Sequence, residues 1–234
     1  MTQKTITLYQ GEPATCGYFS DRQATNVYAD PHHPYPSRVY DTLLAQGFRR
    51  SGEFIYRPAC HQCQACVPVR VPAGAYTPTR RDRRTLKANL DLTVTCVTGK
   101  YTDEYFDLYQ RYLNTRHAGG GMDEQTQEDF KRFLISPWGD TLFLDVRLDD
   151  TCVAVAVTDS TAAGLSAVYT FFDPEQHRRS LGRFCILQQL ELCNRIGLPH
   201  LYLGYWIEDC QKMHYKKDFM PQQHFSGQGW LDVE

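Results

Sequence analysis

Apolar residues recur at helical spacing in four stretches of the chain and in short extended runs in four others. Val39, Tyr40, Leu43 and Leu44 form the first helical face, with Ser37 placed to cap it and Gly47 to stop it. Tyr105, Phe106, Tyr109, Tyr112 and Leu113 follow Thr102 on a second, and Thr126 with Asp129 makes a capping-box start for a third, bearing Phe130, Phe133 and Leu134. The runs 141–148 and 152–158 read as strands joined by a tight turn at Asp149 and Asp150, and 165–172 supplies another strand. A polar stretch, 173–180, leads into a helix over 181–196 with Phe184, Leu187, Leu190 and Cys193 inward, Gly197 at its end and Pro199 beyond. Residues 200–206 add a further strand.

The chain divides by pattern into an N-terminal Cys-loop subdomain, 1–98, and a larger unit, 99–234. A linker-like stretch over 71–79, with Pro72, Gly74 and Pro78, precedes an arginine-rich run that opens a helix or an extended arm. In the larger unit an antiparallel meander feeds a polar loop, a helix and another strand. That order resembles the core of the GCN5-related N-acyltransferase fold, an α+β class with a mixed, mostly antiparallel sheet flanked by helices. In that arrangement the loop before the helix offers backbone N–H groups to the phosphates of an acyl carrier, helped by the helix dipole. Here the loop reads Arg178-Arg179-Ser180-Leu181-Gly182-Arg183, and Phe184 stands where the usual loop has a small residue, which disfavours coenzyme A. A basic surface loop in an unrelated α+β fold is the other reading.

With 234 residues, 42% hydrophobic and 22% charged, the chain has material for one large domain or two small ones. A net charge of -2 excludes broad, nonspecific coating of DNA. Three local basic runs fit either solvated faces or a short piece of phosphate backbone: Arg80, Arg81, Arg83, Arg84 and Lys87; Arg178, Arg179 and Arg183; Lys212, Lys216 and Lys217. No apolar run approaches the roughly 20 residues that span a bilayer, so no membrane partner is expected. Residues 1–10 lack an apolar core, and nine cysteines in a chain of this length read as reduced and cytoplasmic. Cys60, Cys63 and Cys66 stand at every third position, with Cys16 as a fourth thiol. Either they wrap a metal, zinc or an iron–sulfur cluster, or they are small buried hydrophobes. Cys96, Cys152, Cys185, Cys193 and Cys210 read as packing residues.

Longer motifs carry more. Gly47-Phe48-Arg49-Arg50-Ser51-Gly52, then Tyr56-x-Pro58-x-Cys60-x-x-Cys63-x-x-Cys66-x-Pro68-x-Arg70, with Cys16, Tyr18 and Arg22 before them, resemble the N-terminal half of the aminoacyl-tRNA protein transferases of the N-degron pathway. Arg116-His117-x-x-Gly120-x-Met122, the run 169–175, Ser180-Leu181-Gly182, the run 201–207, and Cys210, Met213, Tyr215 and Lys216 resemble the C-terminal half. Short bacterial members of that family are aspartate/glutamate leucyltransferases, and the longer eukaryotic ones transfer arginine. Chain length favours leucine, as does Cys16-Gly17-Tyr18-Phe19 in place of the opening C-x-x-C pair of the arginyl type. That same departure weakens the case for a metal.

The resemblance implies attack by a protein's N-terminal amine on the ester carbonyl of an aminoacyl-tRNA, which is a co-substrate; no cofactor is required. With a reference pKa of about 7.7–8.0, an α-amino group is partly neutral at cellular pH, so positioning supplies much of the acceleration. The acceptor is a protein beginning with Asp or Glu, and its carboxylate calls for an arginine fork: Arg57 or Arg70 beside the Cys loop, then Arg22. For the terminal adenosine and its phosphates the candidates are Arg178, Arg179, Ser180 and Gly182, with Tyr215 and Lys216 on the far side. Tyr169, Tyr202 and Tyr205 stack on a base or fill the core, the core being expected for two of them. Asp173, and His117 beside Arg116, are the candidate catalytic groups. Asp173 equally caps the turn made with Pro174, and the Arg116–His117 pair equally complements a helix dipole. Two other readings stand beside the transferase: a coenzyme A-dependent N-acetyltransferase, and a zinc-dependent nucleic-acid or protein interaction module.

Overall fold

The strands predicted from 141 onward are rich in apolar residues on both sides, and the structure covers each side with helices. A computed structural model describes residues 5–116 and 125–233. In chain order the elements are β1 (Leu8–Gln10), β2 (Ala14–Thr15), β3 (Gln23–Ala24), β4 (Asn26–Ala29), α1 (Pro36–Leu44), β5 (Arg49–Ser51), β6 (Phe54–Pro58), β7 (Val67–Pro72), α2 (Arg80–Lys87), β8 (Leu92–Thr98), α3 (Asp103–Arg116), α4 (Gln127–Leu134), β9 (Asp140–Leu148), β10 (Thr151–Thr161), β11 (Gly164–Phe172), α5 (Leu181–Ile196), β12 (His200–Trp206), β13 (Gln222–Phe225) and β14 (Trp230–Val233). Turns of 3-10 helix lie at Ala73–Ala75, Pro174–Arg179 and Gln211–Asp218.

Strands β7 to β14 make one mixed, mostly antiparallel sheet in the order β14-β13-β7-β12-β11-β10-β9-β8. Only β11 and β12 pair in parallel among its described ladders, and their pairing is short: Leu165 with Leu201 and Ser166 with Tyr202. Alternation sorts the side chains. Ala154, Ala156, Leu165, Leu201 and Leu203 pack under α5 with Phe184, Leu187, Leu190 and Cys193, whereas Phe143, Val155, Val157 and Phe171 pack under α3 and α4 with Tyr105, Tyr109, Leu113, Phe130 and Leu134. Helix α1 packs on the α3 side with β5 and β6 of a second sheet, ordered β1-β4-β6-β5. No described helix is long and apolar enough to cross a membrane.

Three expectations need correction. Ser37 does not cap α1: Tyr35 is the N-cap without a side-chain bond, and Pro36 occupies the first turn, where its missing N–H costs nothing. The stretch 71–79 is no linker, because Val71 and Ala73 are fully buried and Val71 belongs to β7, inside the large sheet. A boundary at 98 would therefore cut through that sheet, since β7 and β8 precede it and β9 to β14 follow. The arginine-rich run takes the helical option, with a capping box in which Thr79 and Asp82 each accept from the other's backbone. Among the thiols read as packing, Cys152, Cys185 and Cys193 are buried, but Cys96 is exposed on β8 and Cys210 is half-buried.

The two sheets are joined at β5. Arg50 gives Asp159 of β10 two parallel bonds, Nε to Oδ2 at 2.7 Å and Nη2 to Oδ1 at 2.9 Å. Its other donors reach the carbonyls of Gly52, Phe133 and Leu134. The pair is shut away from solvent, at 0% and 3% side-chain exposure. Removing one partner strands the other charge in a dry site. Asp159→Ala is expected to lower stability by about 3–5 kcal/mol, read from urea unfolding; an unchanged midpoint would show that the pair holds nothing.

Candidate active site

Beyond Ser166 and Tyr202 the strands β11 and β12 part, and Arg49 enters the gap. Its Nη2 donates to the carbonyl of Val168 at 3.1 Å and reaches that of Ala167 at 3.5 Å. It lies against Gly204, whose φ of +77° and lack of a side chain make room: a Cβ there would stand 2.5 Å from the guanidinium carbon. The register of β12 against β7 shifts at this same glycine. The Tyr205 ring stands beside the guanidinium, 5.9 Å from its carbon, and the Tyr205 hydroxyl lies 3.1 Å from the carbonyl of Gly47 and 3.2 Å from that of Tyr56.

Next to this junction is a cavity of about 750 Å³. The β2–β3 ribbon, the end of β6 and the Cys loop line it, and it gathers all four thiols singled out in the sequence: Cys16, Cys60, Cys63 and Cys66. Arg22 and Arg57 line it too, with Tyr18, Tyr56 and Tyr205. Arg22 stacks on Phe19 at 3.9 Å and points Nη1 at Cys63 Sγ, 3.4 Å away. Arg57 stacks on Phe48 and donates to the carbonyl of Gln46. The Ala65 N–H and the Arg22 guanidinium hold the Cys63 thiol below its ordinary pKa, whereas burial and the neighbouring thiols push Cys66 up to about 11. Burial, chiefly, raises the Tyr18 phenol to about 12.

The thiols do not present a ligand set. Cys60 Sγ is taken up by the backbone of Thr25, Cys63 by Arg22, and among the described residues no three His, Cys, Asp or Glu side chains are placed to hold one metal ion.

The remaining predicted residues are dispersed. Arg70 is outside the cavity, with Nε on Gln223 at 2.7 Å, Nη1 on the Tyr202 hydroxyl and its plane over Trp230. Arg178 and Arg179 line a separate open hollow with Lys87 and Asp91. Arg179 is already engaged there, holding Asp91 in two bonds of 2.8 Å, so Arg178 is the freer cation. Ser180 is left-handed, φ +55°, at the start of α5, and Gly182 faces Phe172. Lys216 cannot be a surface phosphate contact: it is 5% exposed and donates to the carbonyl of Tyr205. Burial, then the Arg49 charge, takes its ammonium well below the ordinary lysine pKa. Tyr215 beside it is exposed. Asp173 accepts from the Glu175 N–H and from Arg111, both at 3.1 Å, the capping role foreseen for it. Arg116 ends α3 over the Phe172 ring, and His117 lies outside the described residues. Tyr202 and Tyr205 are core, while Tyr169 is half-buried among aromatic rings.

Arg49 is the residue that sequence reasoning passed over. Its charge acts on Tyr18 in the cavity and on Tyr215, which in turn neighbours Tyr112. Tyr112 packs on Phe172, which Gly182 of α5 approaches. Arg49 thus stands between the cysteine cavity and the start of α5. The signal was the arginine doublet flanked by glycines, read only as a motif.

Comparison with known proteins decides the family. The family model described as arginine-tRNA-protein transferase, C terminus, matches residues 104–226, and the corresponding N terminus model matches residues 14–84. The chain belongs to the arginine-tRNA-protein transferase family. This transferase is 47% identical to the aspartate/glutamate leucyltransferase of Teredinibacter turnerae over 98% of its own length and 95% of that protein's. To the enzyme of the same name from Pseudomonas fluorescens it is 46% identical, over 97% and 96%. The solved structure of L-PGS from Bacillus licheniformis aligns with a TM-score of 0.44 at 11% identity over 62% of this chain and 48% of that one, too remote to bear on the site.

The cavity electrostatics make Cys63 more reactive than Cys66. Limited alkylation at pH 7 followed by mass spectrometry is expected to mark Cys63 before Cys66, with Arg22→Gln slowing Cys63. Equal rates at both thiols would show that the loop field does not act.

Proposed function

We propose that this transferase moves leucine from leucyl-tRNA to the N-terminal amine of proteins that begin with Asp or Glu, marking them in the cytoplasm for N-degron degradation. The observation that carries this reading is near full-length identity of 46–47% to proteins named for that activity. In the reaction the neutral amine attacks the ester carbonyl, the new C–N bond forms as the C–O ester bond breaks, and the amine proton leaves while the tRNA ribose oxygen regains one. Because the ester is activated, orientation does most of the work.

The cavity suits the acceptor. Arg22 and Arg57 are both stacked on an aromatic ring and only partly hydrogen-bonded, leaving donors for a carboxylate. Arg178, with the backbone at Ser180 and Gly182, faces the donor's terminal nucleotide, and Arg116 lies on the same side over Phe172. We assign the strands flanking α5 to a GCN5-related N-acyltransferase-like core, supported by the short parallel pairing of β11 with β12 and their parting beyond it. The residues before β7 form the Cys-containing subdomain mounted on that core. Asp173, held by Arg111 and its own turn, serves as a base only if that pair opens.

The test is transfer of labelled leucine or arginine from the charged tRNAs to peptides beginning with Asp, Glu or Ala. Leucine is expected on the Asp and Glu peptides, with the Ala peptide poorer by about 10- to 100-fold, the worth of a charge-assisted hydrogen bond. Equal labelling of Ala would remove the arginine clamp, and preference for arginyl-tRNA would overturn the donor. Arg178→Ala is expected to raise KM for leucyl-tRNA; Arg179→Ala, which frees Asp91, should instead lower thermal stability.

A further inference from the structure

Helix α2 carries the densest charge in the described structure. Arg80, Arg83, Arg84 and Lys87 stand at i, i+3, i+4 and i+7, so they share one exposed face about 10 Å long at 1.5 Å per residue. Among the described residues no carboxylate pairs with any of the four, and Arg83 donates to the Pro78 carbonyl at 2.6 Å. Arg81, off the stripe, is the one that pairs, with Asp218. Like charges three and four residues apart repel, and Arg80 in the first turn opposes the helix dipole, while Arg84 and Lys87 in the last turn complement it. The repulsion along the stripe works against the helix that bears it.

Other bonds hold the helix in place. On the buried face Asp82 accepts from Thr79, from the Tyr76 hydroxyl at 2.8 Å and from Arg183 Nε of α5 at 2.6 Å. Past its end, Asn89 donates to the carbonyls of Thr85 and of Arg179. The basic face is therefore rigidly tied to α5 and to the Arg178 loop, and Lys87 shares with Arg178 a hollow of about 580 Å³.

We infer that the α2 stripe docks the phosphate backbone of the duplex stem behind the aminoacylated end of the donor tRNA. This rests on the transferase reading. Single strands are gripped by stacking on aromatic rings, and α2 has none. A row of unpaired cations fits a repeating phosphate backbone instead.

The experiment uses the whole chain carrying Arg80→Gln, Arg83→Gln and Arg84→Gln together, none of which lines the Arg178 hollow. Fluorescence anisotropy with an uncharged RNA hairpin of an acceptor stem ending in CCA is expected to show binding roughly tenfold weaker than wild type near physiological salt. The slope of log K against log salt should fall in magnitude by about 2 to 3. In transfer, KM for leucyl-tRNA rises, while kcat/KM for a leucyl-CCA trinucleotide stays at the wild-type value. An unchanged slope and KM would overturn the inference. So would an equal loss with the trinucleotide, or a loss of binding to phosphatidylglycerol vesicles without any loss on the hairpin. If wild type transfers nothing yet binds the hairpin through α2, the docking surface stands and the transferase reading falls, so the two fail separately.

Discussion

Arg50 is clasped by Asp159 out of reach of water, and its neighbour Arg49 fills the gap where β11 and β12 part. Arg50 supplies the countercharge to the buried Asp159 carboxylate, which also accepts from the Thr141 hydroxyl, and Arg49 donates to the Val168 carbonyl. Together they fix β5 against the large sheet. With β5 come α1, whose Tyr40 hydroxyl meets Ser166, and β6, which leads directly into the Cys loop. The cavity lies where it does because two side chains on one three-residue strand reach two strands of the other sheet.

That placement shapes the chemistry. The cavity acts unevenly on its thiols and phenols: the Ala65 N–H and Arg22 hold Cys63 below its ordinary pKa, while burial raises Cys66 and Tyr18. Lys216, a cation by residue type, is withdrawn into the interior, where it braces the Gln211–Asp218 turns against β12. A cavity lined by Arg22 and Arg57 offers two guanidinium groups to a carboxylate.

The second half of the chain was legible because its elements are locally determined. The helix over 181–196 and the strand over 200–206 appear with the predicted bounds, and the capping box at Thr126 forms as read. Partners distant in sequence were not legible. Prolines at 68 and 72 disguise β7, which sits between β13 and β12. The strands β8, β13 and β14 are short or amphipathic and gain their place only by pairing. In the site, motif spacing brought together the thiols with Arg22 and Arg57, since all lie on the β2–β3 ribbon, the end of β6 and the Cys loop that follows it. It misjudged Arg70 and Arg179, whose partners Gln223 and Asp91 come from elsewhere in the chain. It also passed over Arg49, whose role depends on a glycine 155 residues downstream.

Hydrogen exchange on Arg49→Gln tests most directly whether the arginine in the gap is what holds the cavity in position. Protection should fall in β5, β6 and the Cys loop while α5, β9 and β10 exchange as in wild type. Unchanged exchange in the Cys loop, or a uniform loss across the whole molecule, would contradict the account.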